Sequence, residues 1–276
     1  MAQEKKVSRV SSTGNIEEDI TRAVSVFGGF EHFVKPGEKV LVKPNYNSAD
    51  PPPASSDPAF VATIVKLLLF NGITDVIVCD SSMFALSTLE VFTKTGLRKA
   101  AEAEGARVAA FGDKGWVKVD VGQRFLKKVE IAKELSEVDK LIYACCLKTH
   151  RFADFSISLK LGMGFTKPLP RIGWHIRGRE EKIAELNTVI KPDLIILDAR
   201  KCFVRGGPFS GEVAEPNLIL ASNDRIALDV EGIKIIQSFP RNNLRRKPWE
   251  YTQIKRATEL GIGANSEAEY DVIDVQ

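Results

Sequence analysis

Lys148-Thr149-His150 places a cation and an imidazole directly after the apolar run Leu141 to Leu147. The run reads LIYACCL, short and continuous, which predicts a buried strand. In open α/β sheets, ligands bind in the crevice beyond the carboxyl ends of the strands. A lysine there suits a carboxylate or phosphate, and a histidine can move a proton near neutral pH. Other apolar runs end in the same way: at Lys43-Pro44-Asn45, at Asp80-Ser81-Ser82, at Asp198 and at Ser222-Asn223-Asp224. If they converge on one sheet edge, distant parts of the chain build one site.

Several further residues fit such a site. Lys160 follows Lys148 closely, and the two cations suit one anion. His150 and His175 are two of the three histidines, and either can serve as acid or base. Asp80 and Asp198 could orient a histidine or lysine, or hold a divalent metal with His150. Lys43, Asn45 and Ser81 stand at strand ends as ligand contacts. Ser55 and Ser56 precede Asp57-Pro58, a helix cap and first helical position, where anions are favoured. The stretch Arg205 to Glu212 offers Gly206, Gly207, Ser210 and Gly211. Glycines permit close backbone approach to a ligand, and their N–H groups can cradle an oxyanion. This is neither GxGxxG nor Walker A, so no dinucleotide or P-loop site is indicated.

The elements that must position these residues alternate between apolar runs and amphipathic segments. Strands are predicted at 40–43, 76–80, 141–147, 194–198 and 217–221, with shorter ones at 7–11 and 106–110 and an edge strand at 271–275. Helices are expected after Asn15, after Asp57-Pro58, across 88–104 with a break at Gly96, and at 155–161, 180–190, 226–237 and 249–260. Val40 to Asp80 reads as a right-handed strand, helix, strand unit. A small hairpin is expected near 116–130, turning at Gly122-Gln123. The fold class is therefore α/β, a mainly parallel central sheet flanked by helices. The 276 residues suit one compact unit, or two intimately packed lobes meeting near 131–140. Segments 165–178 and 200–216 read as long loops, a length that is often functional. The proline loop 45–56 is expected to border the site.

Composition excludes several classes. Lys plus Arg total 39 and Asp plus Glu 36, a balance that gives no reason to expect specific nucleic-acid binding. No run reaches the roughly 18 apolar residues that span a bilayer. No apolar segment follows the first charges, so no signal peptide and a cytoplasmic location are expected. Cys79, Cys145, Cys146 and Cys202 form no CxxC pair, and adjacent Cys145 and Cys146 should point to opposite faces of a strand. A disulfide network and a stable Fe–S cluster are not expected.

Taken in order, these motifs resemble the DUF362 proteins of bacteria and archaea, whose function is uncharacterised. The resemblance is carried by Val42-Lys43-Pro44-Asn45, Asp57-Pro58, Val78-Cys79-Asp80-Ser81-Ser82, Lys148-Thr149-His150 and Ser158-Leu159-Lys160. It continues through His175, Pro192-Asp193-Leu194, Asp198, Gly206-Gly207-Pro208, Ser210-Gly211, Ala221-Ser222-Asn223-Asp224, Ala227-Leu228-Asp229 and Gly261-Ile262-Gly263. Two positions depart from the pattern. Lys160-Leu161-Gly162-Met163-Gly164 replaces Lys-Asn-Leu-Phe-Gly, and Arg205-Gly206-Gly207-Pro208 lacks the acid between the family's glycines. Some relatives carry ferredoxin-like cysteine modules, which this sequence does not, so the resemblance implies a redox partner only by analogy.

The sequence is compatible with an enzyme acting on a small anionic molecule by acid–base or metal-assisted chemistry. An accessory protein carrying a metal or cofactor is the alternative, and an Fe–S redox protein ranks third. A homodimer is compatible with all three.

Overall fold

The computed structural model describes residues 4–175 and 177–275. Its strands are β1 (Lys6–Ser11), β2 (Lys39–Lys43), β3 (Asp75–Asp80), β4 (Arg107–Ala110), β5 (Trp116–Asp120) and β6 (Lys128–Ala132). They continue with β7 (Lys140–His150), β8 (Asp154–Ser156), β9 (Leu194–Gly206), β10 (Gly211–Ala214), β11 (Leu218–Ser222) and β12 (Asp271–Val275). The helices are α1 (Ile16–Ser25), α2 (Pro58–Phe70), α3 (Thr88–Thr95), α4 (Leu97–Ala103) and α5 (Ser158–Leu161). After them come α6 (Pro168–Arg171), α7 (Arg179–Leu186), α8 (Arg225–Gln237) and α9 (Thr252–Glu259).

Local chemistry starts and stops these helices as the sequence suggests. Asn15 accepts a hydrogen bond from Glu18 N, and Asp57 accepts one from Ala59 N with Pro58 following it. Asp224 does the same for Ala227 N at the start of α8. Gly96, with φ of +81°, separates α3 from α4, a backbone shape that favours glycine.

The main sheet runs β12-β1-β11-β9-β7-β2-β3-β4. Strands β9, β7, β2, β3 and β4 are parallel to one another, while β11 runs antiparallel to both its neighbours. Successive side chains of a strand face opposite sides. On one face Val40, Val42, Val78, Ile142 and Ile196 pack with Ile20, Phe60, Ile64 and Phe92. On the other, Leu41, Ile77, Tyr143, Cys145 and Leu197 pack with Leu159, Ile183, Ile226 and Ile254. Both faces are thus covered, as a parallel sheet requires.

From β2 the chain winds through α2 to β3 and then β4, moving to one side of the sheet. From β7 it winds through α5 and α7 to β9, on the other side. The order therefore reverses between β2 and β7, and the crevice beyond their carboxyl ends is the place where such sheets bind ligands.

Four stretches differ from the sequence reading. The strand at 141–147 extends to His150, so Lys148 and His150 belong to β7 itself; β8 pairs with this extension, and the helix expected from 155 begins only at Ser158. The strand at 194–198 continues to Gly206, and β10 folds back on it, so 200–216 is largely a hairpin and not a loop. Polar Arg200, Lys201 and Arg205 break up the apolar pattern there. The 165–178 connection contains α6 and a short 3-10 helix, Ile172–His175. In the 116–130 hairpin β6 starts only at Lys128, because Phe125 N and Leu126 N donate to the Glu185 carboxylate instead of pairing across the strands.

Candidate functional site

A cavity of about 320 Å³ opens at the β2/β7 crevice. That is at the small end of the range for ligand sites. Its polar lining comes from Lys43 on β2, Asp80 and Ser81 at the end of β3, Lys148 and His150 on β7, and Lys160 on α5. Arg171 at the end of α6 and Arg179 at the start of α7 complete it.

Lys43 and Asp80 form a buried pair at 2.6 Å. The Asp80 carboxylate also accepts from Tyr46 N and Ser81 N, both at 2.7 Å, and Lys43 Nζ donates to Pro44 O. Burial lowers the Lys43 pKa, and the Asp80 charge opposes that. Gly164 packs directly on the pair: a Cβ there would stand 2.6 Å from both Lys43 Nζ and Asp80 Oδ1.

Lys148 is buried beneath the proline loop and donates to Asn45 Oδ1 at 3.2 Å and to Ala54 O. The 45–56 loop thus borders the cavity, through Asn45 and Asn47. Ser55 and Ser56 do not line it. Their hydroxyls donate to Ser48 O and Ala144 O, and Ser56 Oγ accepts from Asn45 N. They hold the loop in shape.

Lys160 is different. It is half-buried, lines the cavity and, among the described residues, its amine makes no hydrogen bond or ion pair. Burial, then the charges of Lys148, Arg171, Arg179 and Lys43, push its pKa down to about 7. The turn that carries it is tightly held. Asp229 on α8 accepts from Ser158 N, Ser158 Oγ and Leu159 N, and Asn187 Nδ2 donates to Leu159 O. Arg225 in turn donates to Asn187 Oδ1. Asp229 is therefore the cap of the Lys160 turn, paired with hydroxyl and amide donors.

Arg171 donates to Ser81 Oγ, Met163 O and Ser82 O, and Arg179 to Phe152 O. Neither arginine stood among the sequence candidates. The only signal was the length of the 165–178 connection, which holds Arg171 but not Arg179. His150 Nδ1 accepts from Phe152 N at 3.2 Å. Around the mouth stand Phe84, Phe152, Ile172 and Phe209, with 58%, 51%, 43% and 37% of their surface exposed. The site thus combines a cationic floor with an apolar rim.

Other expected members lie elsewhere. Asp198 faces a separate cavity with Pro51–Pro53, Ser55 and Cys146, and it pairs with Arg200 at 2.6 Å. The cause is strand alternation: Asp198 pairs with Cys146 and shares its face, opposite Leu197 and Cys145, and only after it does the β7/β9 register shift, so that Leu147 pairs with Cys202. The intervening residues bulge, and Arg200 folds back on Asp198 and Asp57. Gly206, Gly207, Ser210 and Gly211 do not line the site cavity, although Pro208 and Phe209 between them do. Gly207 N donates to Ser210 O within the turn. A Cβ on Gly207 would lie 1.9 Å from Thr149 O, so this glycine lets the hairpin approach β7. The side chain of His175 lies outside the described residues.

The family model for a domain of unknown function, DUF362, matches residues 40–234. The chain belongs to the DUF362 family. The matched region of DUF362 runs from β2 into α8 and includes Lys43, Asp80, Lys148, His150, Lys160, Arg171 and Asp229. A thylakoid-associated protein of Synechocystis sp., sll1697, is 27% identical over 241 residues, covering 84% of this chain and 74% of that protein. A Thermotoga maritima protein from a structural genomics programme superposes with a TM-score of 0.49 at 13% identity, over 88% of this chain and 59% of that one. The lactate racemase apoprotein of Thermoanaerobacterium thermosaccharolyticum gives a TM-score of 0.41 at 16% identity, over 72% and 50%. This DUF362 chain thus spans 59% of the first solved structure and half of the second.

Among the described residues, no helix is long and apolar enough to cross a membrane, and no three His, Cys, Asp or Glu side chains gather as a metal-ligand set. The four cysteines are buried and unpaired. Cys145 joins one core, while Cys146 faces Ser56 Oγ at 3.5 Å on the other side of the strand.

Proposed function

We propose that this cavity binds a small organic anion, a carboxylate or phosphate, and that the protein is an enzyme acting on it by acid–base chemistry. The observation that carries the reading is the charge imbalance at the cavity. Lys43, Lys148, Lys160 and Arg171 line it, and Asp80, the carboxylate among them, is already held by Lys43. A partly buried cationic pocket gains most from a ligand that brings the missing negative charge. His150 and Lys160 line the same space and supply groups that can take or give a proton. The reading uses no metal.

The second reading is a non-catalytic carrier of an anionic cofactor. The exposed phenylalanines at the mouth favour it to the extent that a partner would cover them. A carrier binds its ligand without needing a proton-moving group, so His150→Ala would leave its behaviour intact. An enzyme would lose turnover more than affinity in that variant.

Calorimetric titration with inorganic phosphate and with benzoate tests the anion site. Binding should weaken about tenfold or more in Lys160→Met and Arg171→Met, since a charge-assisted hydrogen bond contributes about 1.5–3 kcal/mol. Equal affinities in wild type and both variants would remove the basis of the reading.

A further inference from the structure

We propose that the Lys160 amine is a covalent nucleophile, forming an imine with an aldehyde or 2-oxo acid whose carboxylate sits among the cations of this cavity. The proposal rests on the anion-site reading and names its substrate class as carbonyl-bearing carboxylates.

The argument begins with what each lysine does. Lys43 is held by Asp80 and Pro44 O, and Lys148 by Asn45 and Ala54. Both amines are committed to donor bonds that hold them in place, and Lys43 is also paired with the Asp80 carboxylate. Lys160 reaches the same cavity with no such partner among the described residues. The charged and titratable groups that line the cavity with it are Lys43 on β2, Asp80 on β3, Lys148 and His150 on β7, Arg171 on α6 and Arg179 on α7. No carboxylate among them is free to hold a proton on Lys160, while the cations disfavour one. Desolvation and neighbouring cations are the means by which a lysine becomes a nucleophile near neutral pH. Position matters as much as charge. The Asp229 and Asn187 hydrogen bonds fix the backbone of the Lys160 turn from both sides, so the amine is presented from a rigid support.

The chemistry balances without a redox partner. The amine lone pair forms the C–N bond as the carbonyl π pair moves to oxygen, giving a carbinolamine. The nitrogen then loses its proton, the hydroxyl is protonated, and water leaves. Amine plus carbonyl compound gives imine plus water. His150 lines the cavity and can carry the proton to the departing hydroxyl. The ligand carboxylate, beside Lys148 and Arg171, supplies the negative charge that the pocket lacks.

The test uses the full chain with glyoxylate or pyruvate, borohydride reduction, and peptide mapping by mass spectrometry. The expected result is one stable N-alkyl adduct, on Lys160, with half-maximal yield near pH 7 and suppression by inorganic phosphate. Lys160→Arg should give none. Phosphate binding is measured by calorimetry on the same preparation. Phosphate binding with no adduct on Lys160, or with adducts spread over exposed lysines such as Lys201, overturns the imine and leaves the anion site standing. Absence of both binding and adduct overturns both.

Discussion

Asp229 accepts two hydrogen bonds from Ser158, from its hydroxyl at 2.6 Å and its backbone N–H at 2.8 Å. A third comes from Leu159 N at 3.1 Å. A residue from the middle of α8 thereby fixes the turn that presents Lys160. Asp229→Ala would leave these buried donors unpaired. We expect a loss of about 2–4 kcal/mol in urea unfolding, with weaker phosphate binding because Lys160 is no longer positioned.

Asp229 and Lys160 shape stability against pH, with opposite signs. Burial raises Asp229 from its ordinary 3.8 to about 7, against the pull of its hydrogen bonds. The folded state then binds more protons than the unfolded one across that window, so this contribution falls as pH rises from about 4 to 7. Lys160 is lowered from 10.5 to about 7, so the unfolded state binds more protons there, and its contribution rises from about pH 7 to 10.5. Thermal unfolding across pH should show Asp229→Asn removing the acid-side fall and Lys160→Met removing the alkaline rise. Lys160→Met should also be more stable than wild type at pH 6, since a charge held among cations is costly.

Breaking the Lys43–Asp80 pair from one side leaves a buried charge without compensation. Asp80→Asn should cost about 3–5 kcal/mol, and the double variant Lys43→Met with Asp80→Asn should cost less than Asp80→Asn alone. Gly164→Ala probes the pair without changing either member, since the added Cβ would stand 2.6 Å from Lys43 Nζ and Asp80 Oδ1 and push them apart. Lower anion affinity and reduced stability are both expected. Unaltered unfolding in Gly164→Ala would contradict this packing.

The apolar rim should select ligands with an apolar body. Phenyl phosphate is expected to bind about tenfold tighter than inorganic phosphate, from burial of its ring against Phe84, Phe152 and Phe209. Phe84→Ala combined with Phe152→Ala should abolish that preference and leave inorganic phosphate affinity unchanged. Equal loss for both ligands would mean that the rim supports the floor, not the ligand body.

Asp198 should behave as a structural residue. Asp198→Asn removes the charge that holds Arg200, which then keeps Asp57 alone. Lower stability with unchanged phosphate affinity is expected by calorimetry and urea unfolding.

The sequence by itself determined the strand-forming runs, the caps at Asn15 and Asp57, the α/β class, and the polar character of the ends of β2, β3 and β7. These rest on local chemistry: apolar periodicity, a side chain bonding an N–H a few residues on, a proline that fixes φ. Tertiary structure alone decided which ends meet. Lys43, Asp80, Lys148 and Lys160 converge because β2 and β7 flank the reversal of strand order. Asp198 does not join them, because it pairs with Cys146 on the opposite face of the sheet and Arg200 turns back onto it. Arg171, the phenylalanine rim and the Asp229 cap were likewise outside the reach of local pattern. Each depends on contacts between residues far apart in sequence, such as the 71 positions between Ser158 and Asp229, and only the packing of the two faces brings such groups together.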